Sequence, residues 1–502
     1  MNAKSYCPRR LEKSFFYVLV VSMGIIVSES AIATPRQLSN PHSARFLQPQ
    51  PLSQQFAQEQ SYNIETIEVV DSTIFTEEDF APIVEPLEGK TVTLTELSEA
   101  VRAVTQLYLD DGYLTSRAVL VKDSLDTGNI KILVLEGKIS NIEIEGLEAL
   151  NAGYIRSRLE LATEPVLNTT RLEEQLRLLR TNPVIDTIQA SLIPAEEANA
   201  STLSLSIEEA SPWLTRLSLN NYSPPSVGGE KASFSLGTRN LTGNSDTLRA
   251  TYSRTLQGGA EDIALNYSLP LNAKNGTIQL RTAFGRNEVI EDEFEDLNIE
   301  GDFDLVEISY RQPFIRTTEK EFALSLGFTY QQGQTFLLGS PQPFSFGPDE
   351  DGISRTSLIK FGQDYVKRSE SGTWALRSQF SLGTGLFDAT NNEGDIPDGQ
   401  FISWLGQAQR LQRLSSDHLL IIQADIQLAS DELLPSQQFV IGGGQSVRGY
   451  RQNILAADQG IRLSVEDQIT VSTDAAGEPI LQIAPFVEAG AVVNKGDNPN
   501  TI

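Results

Sequence analysis

The chain has few residues that could build a chemical active site. Its 502 residues include one cysteine, Cys7, and two histidines, His42 and His418. A zinc site of cysteine and histidine ligands needs more such residues, and one early cysteine cannot supply a Cys-His nucleophile pair. The carboxylates show no EF-hand spacing. The sequence therefore predicts a protein that is not an enzyme, with no cofactor and no metal site.

Positive charge is also scarce. The chain has 39 Lys and Arg against 66 Asp and Glu, a formal net charge of −27. Duplex binding requires Lys and Arg to neutralise phosphates, so nucleic acid is excluded as a partner. The acidity favours a self-repelling, soluble surface and says little about the fold.

The first 33 residues have the layout of a secretory signal peptide. A basic start precedes the apolar run from Phe15 to Val27, and Ala31-Ile32-Ala33 supplies small residues for cleavage. The alternative is a membrane anchor, but the run is shorter than the ~20 residues that a spanning helix needs. Export is therefore predicted, and Cys7 would leave with the signal peptide.

Residues 34–61 are rich in proline and glutamine and predict a flexible linker. The chain then repeats itself: Ile67-Glu68-Val69 recurs as Ile142-Glu143-Ile144. Each copy predicts the order β-α-α-β-β, so residues 62–137 and 138–211 are expected to be two small α+β modules in tandem. In the first, Thr93-x-x-Glu96 predicts a capping box, and in the second Thr170-x-x-Glu173 does the same. The helical faces that follow are Leu97, Val101, Val104 and Tyr108 in the first copy and Leu172, Leu176 and Leu179 in the second.

Residues 212–502 predict strands only. Segments of about ten residues alternate between large apolar side chains and small or polar ones, as in Phe322 to Tyr330. A soluble sandwich also alternates, but side chains as small and uncharged as these suit a wet lumen lined by Ala, Ser, Gly, Thr, Asn and Gln better than an exposed face. The pattern therefore predicts a transmembrane antiparallel β-sheet. Such a sheet must close into a barrel, because unpaired backbone groups at an open edge are costly in lipid. Thirteen strand candidates are present, the last near Ile480 to Val492. Single-chain bacterial barrels have an even number of strands, and thirteen is odd. Either this count is wrong, or the sequence stops before the barrel is complete.

A glycine-rich stretch interrupts the strands at Phe439 to Gln452, within a predicted loop at about residues 430–460. A phosphate-binding loop requires a following helix and G-K-[ST], and neither is present. Composition alone does not decide between a surface turn and a loop folded inside the barrel. Glycines would let such a loop turn tightly in a restricted interior.

Four segments and the strand pattern together resemble one known family. Gly442, Gly443, Gly444, Val447, Arg448, Gly449 and Tyr450 resemble the V-R-G-Y/F signature of the large pore-inward loop in BamA-type barrel proteins. Phe486, Glu488 and Gly490 resemble the F-x-D-x-G of the barrel-wall strand that partners this loop, with Glu in place of Asp. Gly112, Tyr113, Ser116 and Arg117, followed by Ala118, resemble the G-Y-x-x-S-R-A of a POTRA module. The opening of the barrel resembles the family at Asn220-Asn221-Tyr222, Gly237, Asn240-Leu241 and Gly243.

The combination resembles the outer-membrane transporters of two-partner secretion (TpsB type), the haemolysin secretion/activation family. The resemblance implies two periplasmic POTRA modules before a barrel of sixteen strands, whose last three are absent from the pattern here. It implies a monomeric protein-conducting channel, in contact with outer-membrane lipid, that captures an unfolded TpsA-type exoprotein and passes it to the cell surface. It also implies that the loop folds into the lumen with Arg448 paired to Glu488. The alternatives are a BamA-like assembly factor, which would have more modules, and a passive porin, which would have none.

Overall fold

The computed structural model describes residues 18–24, 61–163, 165–197, 199–475, 477–496 and 498. The predicted signal peptide and linker lie outside the described residues, except for Ser61 and the backbone of strand β1 (Val18–Gly24). β1 is antiparallel to the last of the described strands, Pro479–Val493. In the described part of the chain, no helix is long and apolar enough to cross a membrane.

Residues 61–137 form a first α+β module. Its elements are β2 (Ser61–Asn63), β3 (Thr66–Val70), α1 (Glu77–Val84), β4 (Thr91–Thr93), α2 (Leu94–Asp110), β5 (Arg117–Leu120) and β6 (Asn129–Leu135). The main sheet has the order β3-β6-β5, in which β3 is parallel and β5 antiparallel to the central strand. The two outer strands, β3 and β5, therefore leave two sheet edges.

The sequence explains why α2 begins and packs where it does. The backbone N–H of Glu96 donates to the Thr93 hydroxyl at 3.2 Å, and the backbone N–H of Thr93 donates to the Glu96 carboxylate at 2.6 Å. This reciprocal pair is the predicted capping box. Leu97, Val104 and Tyr108 are fully buried on the predicted face. Burying an apolar side chain of this size contributes roughly 1.5–3 kcal/mol, so this stripe holds α2 on the sheet.

Residues 138–211 form a second module of the same order. It contains β7 (Lys138–Glu145), α3 (Ala152–Thr163), α4 (Thr169–Arg180), β8 (Ile185–Pro194) and β9 (Ala200–Glu209), with β9 central between β7 and β8. The predicted cap of α4 is wrong. Asn168 caps the helix, accepting the backbone N–H of Arg171 at 2.9 Å, and Thr170 lies inside the first turn. The side chain of Asn168 is held at the cap position because its amide also donates to the carbonyl of Asp111 in the first module, at 2.9 Å.

Residues 212–493 form one large antiparallel sheet of thirteen long strands, each paired with the next along the chain, as the alternating segments predict. The long strands are β10 (Trp213–Asn220), β11 (Lys231–Arg239), β12 (Thr247–Thr255), β13 (Ala260–Pro270), β14 (Thr277–Glu288), β15 (Glu300–Arg316), β16 (Lys320–Leu337), β18 (Ile353–Ser369), β19 (Gly372–Thr384), β20 (Ile402–Arg413), β21 (His418–Ala429), β24 (Gln459–Thr473) and β25 (Pro479–Val493). Three short strands, β17 (Ser340–Pro341), β22 (Phe439–Ile441) and β23 (Leu455–Ala457), lie in its loops. β24 pairs with one edge of β25, and among the described strands β1 pairs with its other edge.

The two faces of this sheet differ as the sequence predicts. Large apolar side chains lie exposed on one face, where Leu326 is 60% exposed, and we call this the outer face. Ala323 and Thr329, at odd positions of the same strand, are 0% and 2% exposed on the inner face. Successive side chains of a strand point to opposite faces, so one alternating sequence supplies both surfaces. An exposed apolar band around a buried polar interior is the arrangement of an outer-membrane barrel.

The second module docks on one end of the sheet. The backbone N–H of Asn151 donates to the carbonyl of Gly243 at 2.9 Å, in the turn between β11 and β12. Arg158 donates to the carbonyl of Asn272 at 3.1 Å, in the turn between β13 and β14. The hydroxyl of Thr318, between β15 and β16, donates to Glu174 at 3.2 Å. Three successive turns therefore fix the module at the end of the sheet where β10 begins.

Candidate functional site

The glycine-rich stretch forms a loop between β22 and β23 that folds against the inner face. Gly442, Gly443 and Gly449 have φ angles of 110°, 92° and 90°, a region that side chains disfavour. Gly444 is required for space instead, since a Cβ there would lie 2.4 Å from the ring of Tyr222. Tyr222 belongs to the predicted opening segment of the barrel, so the loop reaches the region where the first two strands of the sheet meet.

A small apolar cluster seats the loop on the wall. Ile441 and Val447 are each 1% exposed and pack with Ala457 and Val492. Gly490 lies directly beneath them: a Cβ there would lie 3.0 Å from Ile441 and 3.3 Å from Val447. The glycine of the wall motif thus leaves the space that the loop occupies.

Arg448 is the polar centre of the site. Its guanidinium lies 2.6 Å from Glu488 and 2.5 Å from Glu466, on neighbouring strands β25 and β24. It also stacks over the ring of Phe486, 3.4 Å from its centroid. Glu488 and Glu466 are 3% and 8% exposed, so these charges are mostly removed from solvent. Charged hydrogen bonds in such a setting are strong, and losing one partner is costly.

Glu488 serves the loop with both of its oxygens. One accepts the backbone N–H of Arg448 at 2.6 Å, and the other accepts its Nε at 2.8 Å and the hydroxyl of Ser464 at 3.0 Å. Glu488, which stands where the resembled motif has Asp, therefore bonds both the backbone and the guanidinium of Arg448. Phe486, Glu488 and Gly490 share the inner face, while Val487 is 44% exposed on the outer one.

A second arginine holds the loop from the wall. Arg462, on β24, donates to the backbone carbonyl of Gln445 in the loop at 2.5 Å. It is fixed by Asp425 on β21, which accepts its Nε at 2.7 Å and the amide of Gln407 at 2.9 Å. The side chains of Arg462 and Asp425 are 15% and 12% exposed. Sequence reasoning identified neither this pair nor Glu466, because none of them lies in the motif.

The base of the loop is tied by a buried carboxylate. Asp458 is 0% exposed and accepts the backbone N–H groups of Leu433 at 3.0 Å and Lys495 at 2.8 Å. It also accepts the side-chain amides of Gln438 at 3.1 Å and Asn498 at 2.8 Å. Four donors leave this carboxylate well solvated by the protein, so both ends of the loop are held as well as its tip.

The predicted POTRA motif lies elsewhere, at the junction of the modules. The carbonyl of Gly112 accepts the backbone N–H of Thr169 at 2.9 Å, and a Cβ on Gly112 would lie 2.7 Å from the Thr170 hydroxyl. Tyr113 is buried in the first core, and the hydroxyl of Ser116 accepts the backbone N–H of Gly137 at 3.0 Å. Arg117 is exposed. In the described residues no contact joins this motif to the loop, so the two motifs mark two separate places.

The inner face carries more charge than the sequence pattern predicts. Lys360 lies 2.9 Å from Glu307, and Arg311 lies 2.6 Å from Glu321 and 3.0 Å from Asp364. The predicted lining of small and uncharged residues is therefore incomplete. These charges are paired across strands, which removes most of their net field at a distance.

Comparison with known proteins identifies both parts of the chain. Residues 199–501 match the family described as haemolysin secretion/activation protein ShlB/FhaC/HecB. Residues 62–137 match the POTRA domain, ShlB-type. The first match covers the sheet, the loop and its wall partners. The second covers the motif from Gly112 to Arg117.

Curated relatives and a solved structure agree with these matches. The heme/hemopexin transporter protein HuxB of Haemophilus influenzae (strain 86-028NP) is 22% identical, over 89% of this chain and 82% of the relative. The outer membrane transporter CdiB of Escherichia coli is 24% identical, over 80% of this chain and 67% of the relative. The structure of CdiB from Escherichia coli superposes with a TM-score of 0.66 at 19% identity, covering 88% of this chain and 92% of that one. The likeness of the structures shows the fold, POTRA modules followed by a barrel sheet.

Proposed function

Because the chain belongs to the haemolysin secretion/activation family of ShlB, FhaC and HecB, we propose that it captures an unfolded exoprotein in the periplasm and conducts it to the cell surface. The family consists of outer-membrane transporters of two-partner secretion, which are not enzymes, and their POTRA modules lie in the periplasm. The route of the cargo through this chain is the part that we infer. The passive porin is disfavoured by the two modules, and the BamA-like assembly factor by the family match.

Capture is assigned to the modules. Each has a three-stranded sheet with two outer strands, β3 and β5 in the first and β7 and β8 in the second. An extended segment of cargo can add a strand to such an edge, where backbone hydrogen bonds supply affinity without demanding a particular sequence. The second module is bound to three turns of the sheet, so a segment held there lies close to the entrance of the barrel.

Conduction is assigned to the interior of the sheet, and the anchored loop is the observation that carries the proposal. Arg448 holds it to Glu466 and Glu488, near the middle of β24 and β25 and inside the sheet rather than over its rim, while Arg462 holds it nearer the beginning of β24. A loop fixed there narrows the interior and sets which part is open to a passing chain. The wall charges on β15, β16 and β18 are paired, so they attract an unfolded segment weakly and let it move on. One chain supplies modules, wall and loop, and we therefore propose that a monomer suffices.

The experiment removes the capture step and keeps the channel. Residues 62–136 are deleted, and the variant is expressed with the exoprotein encoded beside its gene. We expect outer-membrane fractionation and heat-modifiable gel mobility to show an inserted barrel, while the exoprotein is absent from the medium. The wild-type chain and the Arg448→Ala variant serve as controls for secretion and for a defect confined to the channel.

Two results would contradict the proposal. Normal secretion by the deletion variant would remove the modules from the route. Failure to find any exoprotein whose export depends on the wild-type chain would remove the proposed cargo itself.

A further inference from the structure

The outer strands of both modules each have one backbone group already bonded to a side chain. The pairs are the N–H of Ile67 with Glu88 (2.8 Å), the N–H of Ala118 with Thr105 (3.0 Å), the carbonyl of Ile142 with Arg156 (3.2 Å) and the carbonyl of Ile188 with Arg180 (3.5 Å). We call these four side chains the edge guards. Proteins blunt open sheet edges because they otherwise pair with any extended chain. An incoming strand must displace a guard before it can use that backbone group.

The edge of β3 differs from the others because a groove runs beside it. Ile67 directs its N–H away from β6 and towards Glu88, so Val69, two residues on, points its N–H the same way. Helix α1 lies alongside, and the buried side chains of Ile67, Phe80 and Val84 contribute to the lining. The groove therefore offers the backbone donors of β3 along one side and an apolar surface between β3 and α1.

The charged side chains that line the groove are all acidic. Its lining includes five carboxylates and no basic residue: Glu68, Glu77, Glu78, Glu85 and Glu88. One of the five, Glu68, pairs with Lys131 on the neighbouring strand β6 at 3.4 Å, and the other four lie beside no basic lining residue. Opposite charges a few ångströms apart attract even near a wet surface, so the groove favours a cationic occupant.

We propose that the β3 groove binds an extended, cationic segment of the exoprotein by exchanging partners with Glu88. A carbonyl of the incoming strand accepts the N–H of Ile67, and a lysine or arginine beside it takes over the released carboxylate. Every group that loses a hydrogen bond gains another, so the exchange requires a cation at the right position. Apolar residues that alternate with the cations face the groove lining. This inference rests on the proposed function and names the chemistry of the segment captured.

The other three edges do not allow this exchange. The guards of β7 and β8 are arginines, which a cationic segment repels and cannot release. The guard of β5 is the hydroxyl of Thr105, which carries no charge to recognise. Selectivity for positive charge is therefore expected at β3 and at none of the other three edges.

The test measures binding of three labelled nine-residue peptides to the full-length protein in detergent micelles by fluorescence anisotropy. Their sequences alternate valine with lysine, serine or glutamate. At low salt we expect the Val-Lys peptide to bind about five-fold more tightly than Val-Ser, and Val-Glu to bind least. At about 1 M salt, where the screening length is ~3 Å, the ratio of the Val-Lys affinity to the Val-Ser affinity should fall towards one.

Variants of the guard separate its two roles. Glu88→Gln keeps an acceptor for Ile67 and removes the charge, so the preference for Val-Lys should fall with little change for Val-Ser. Glu88→Ala removes the guard, so Val-Ser should bind about two- to five-fold more tightly while Val-Lys loses its advantage. Val69→Pro removes the next donor of the edge and should weaken all three peptides. Glu78→Gln, on the same groove but on α1, is the matched control and should keep most of the preference.

The outcomes distinguish this inference from the proposed function. If Glu88→Gln and Glu88→Ala leave all three affinities and their ratios unchanged, the exchange at β3 is wrong, whatever the deletion of residues 62–136 does to secretion. If the deletion leaves secretion normal while the peptides follow the expected pattern, the groove binds cationic strands but does not serve export. A preference for Val-Glu would overturn the charge argument by itself.

Discussion

Large apolar side chains point into the core of the modules but point outward from the sheet. Leu97 in the first module is 0% exposed in an apolar core, whereas Leu326 in the sheet is 60% exposed on the outer face. The interiors differ accordingly, because the modules enclose leucine and isoleucine and the sheet encloses Arg448 with two carboxylates. An alternating pattern shows that one face of a strand is apolar but does not say which medium meets it. In the outer membrane, lipid replaces the core as the partner of that face.

The largest effect should come from breaking the charged centre of the sheet interior. Arg448→Ala leaves Glu466 and Glu488, on neighbouring strands, without the cation that they share, at a cost of roughly 3–5 kcal/mol in a dry site and less in a wet one. Glu488→Ala should cost less, because Glu466 still pairs with the arginine. We expect the double variant to be no worse than Arg448→Ala. Channel conductance in planar bilayers and resistance of the loop to protease measure the effect, and strictly additive defects would show that the residues do not act together.

A charge on the outer face should distinguish the two regions most directly. Leu326→Lys exposes a cation to lipid, which costs roughly 2–4 kcal/mol near the middle of a bilayer. Leu114 in the first module is also 60% exposed, but to water, so Leu114→Lys should change stability by less than about 0.5 kcal/mol. Both are measured as the guanidinium dependence of folding into phospholipid vesicles. Equal effects at the two leucines would show that the outer face of the sheet does not meet lipid.

The second anchor of the loop should have a smaller effect. Arg462→Met keeps most of the stem but removes the donor to Gln445, leaving Asp425 with the amide of Gln407. A cost of about 1–3 kcal/mol is expected for the carboxylate that loses its cation, and Asp425→Asn should be milder because it leaves no uncompensated negative charge. Conductance should become noisier while insertion stays normal. Unchanged conductance and unchanged protease resistance in Arg462→Met would leave Arg448 as the main anchor.

The comparison also explains which parts of the structure could be predicted. The strands of the sheet and the helices of the modules follow from local periodicity, and the pairing of Arg448 with Glu488 was expected from the motif and the alternation of β25. Glu466 was missed because it stands across from Phe486 only in the actual register of β24 and β25. Asp425 and Arg462 are directly opposite across strands that the whole loop separates in sequence. Such contacts depend on register, which a single strand pattern does not contain.

The wrong cap of α4 has a similar cause. Thr170 fits the local pattern, but Asn168 makes a contact with the first module that no local pattern contains. The edge guards are equally remote from local reasoning, since Glu88 bonds to a strand that lies 21 residues earlier. Sequence reasoning therefore predicted the elements and one motif pair, and it failed where a side chain belongs to two elements at once.

The smallest expected effect is a pH dependence confined to the modules. A backbone and a side-chain hydrogen bond from Thr93 lower the pKa of Glu96, and the same two bonds from Thr76 lower the pKa of Asp79. A carboxyl whose pKa is lower in the folded state stabilises it above the unfolded pKa, about 4, and this stabilisation is lost as pH falls through the folded value. The helices α2 and α1 should thus melt at lower temperature below about pH 4. In the described chain every α-helix lies in a module, so circular dichroism at the helical band reports the modules and not the sheet. Glu96→Gln keeps the capping acceptor but cannot titrate, and with Asp79→Asn it should flatten this part of the profile. A profile that keeps its full slope below pH 4 in the double variant would assign the acid sensitivity to other carboxylates.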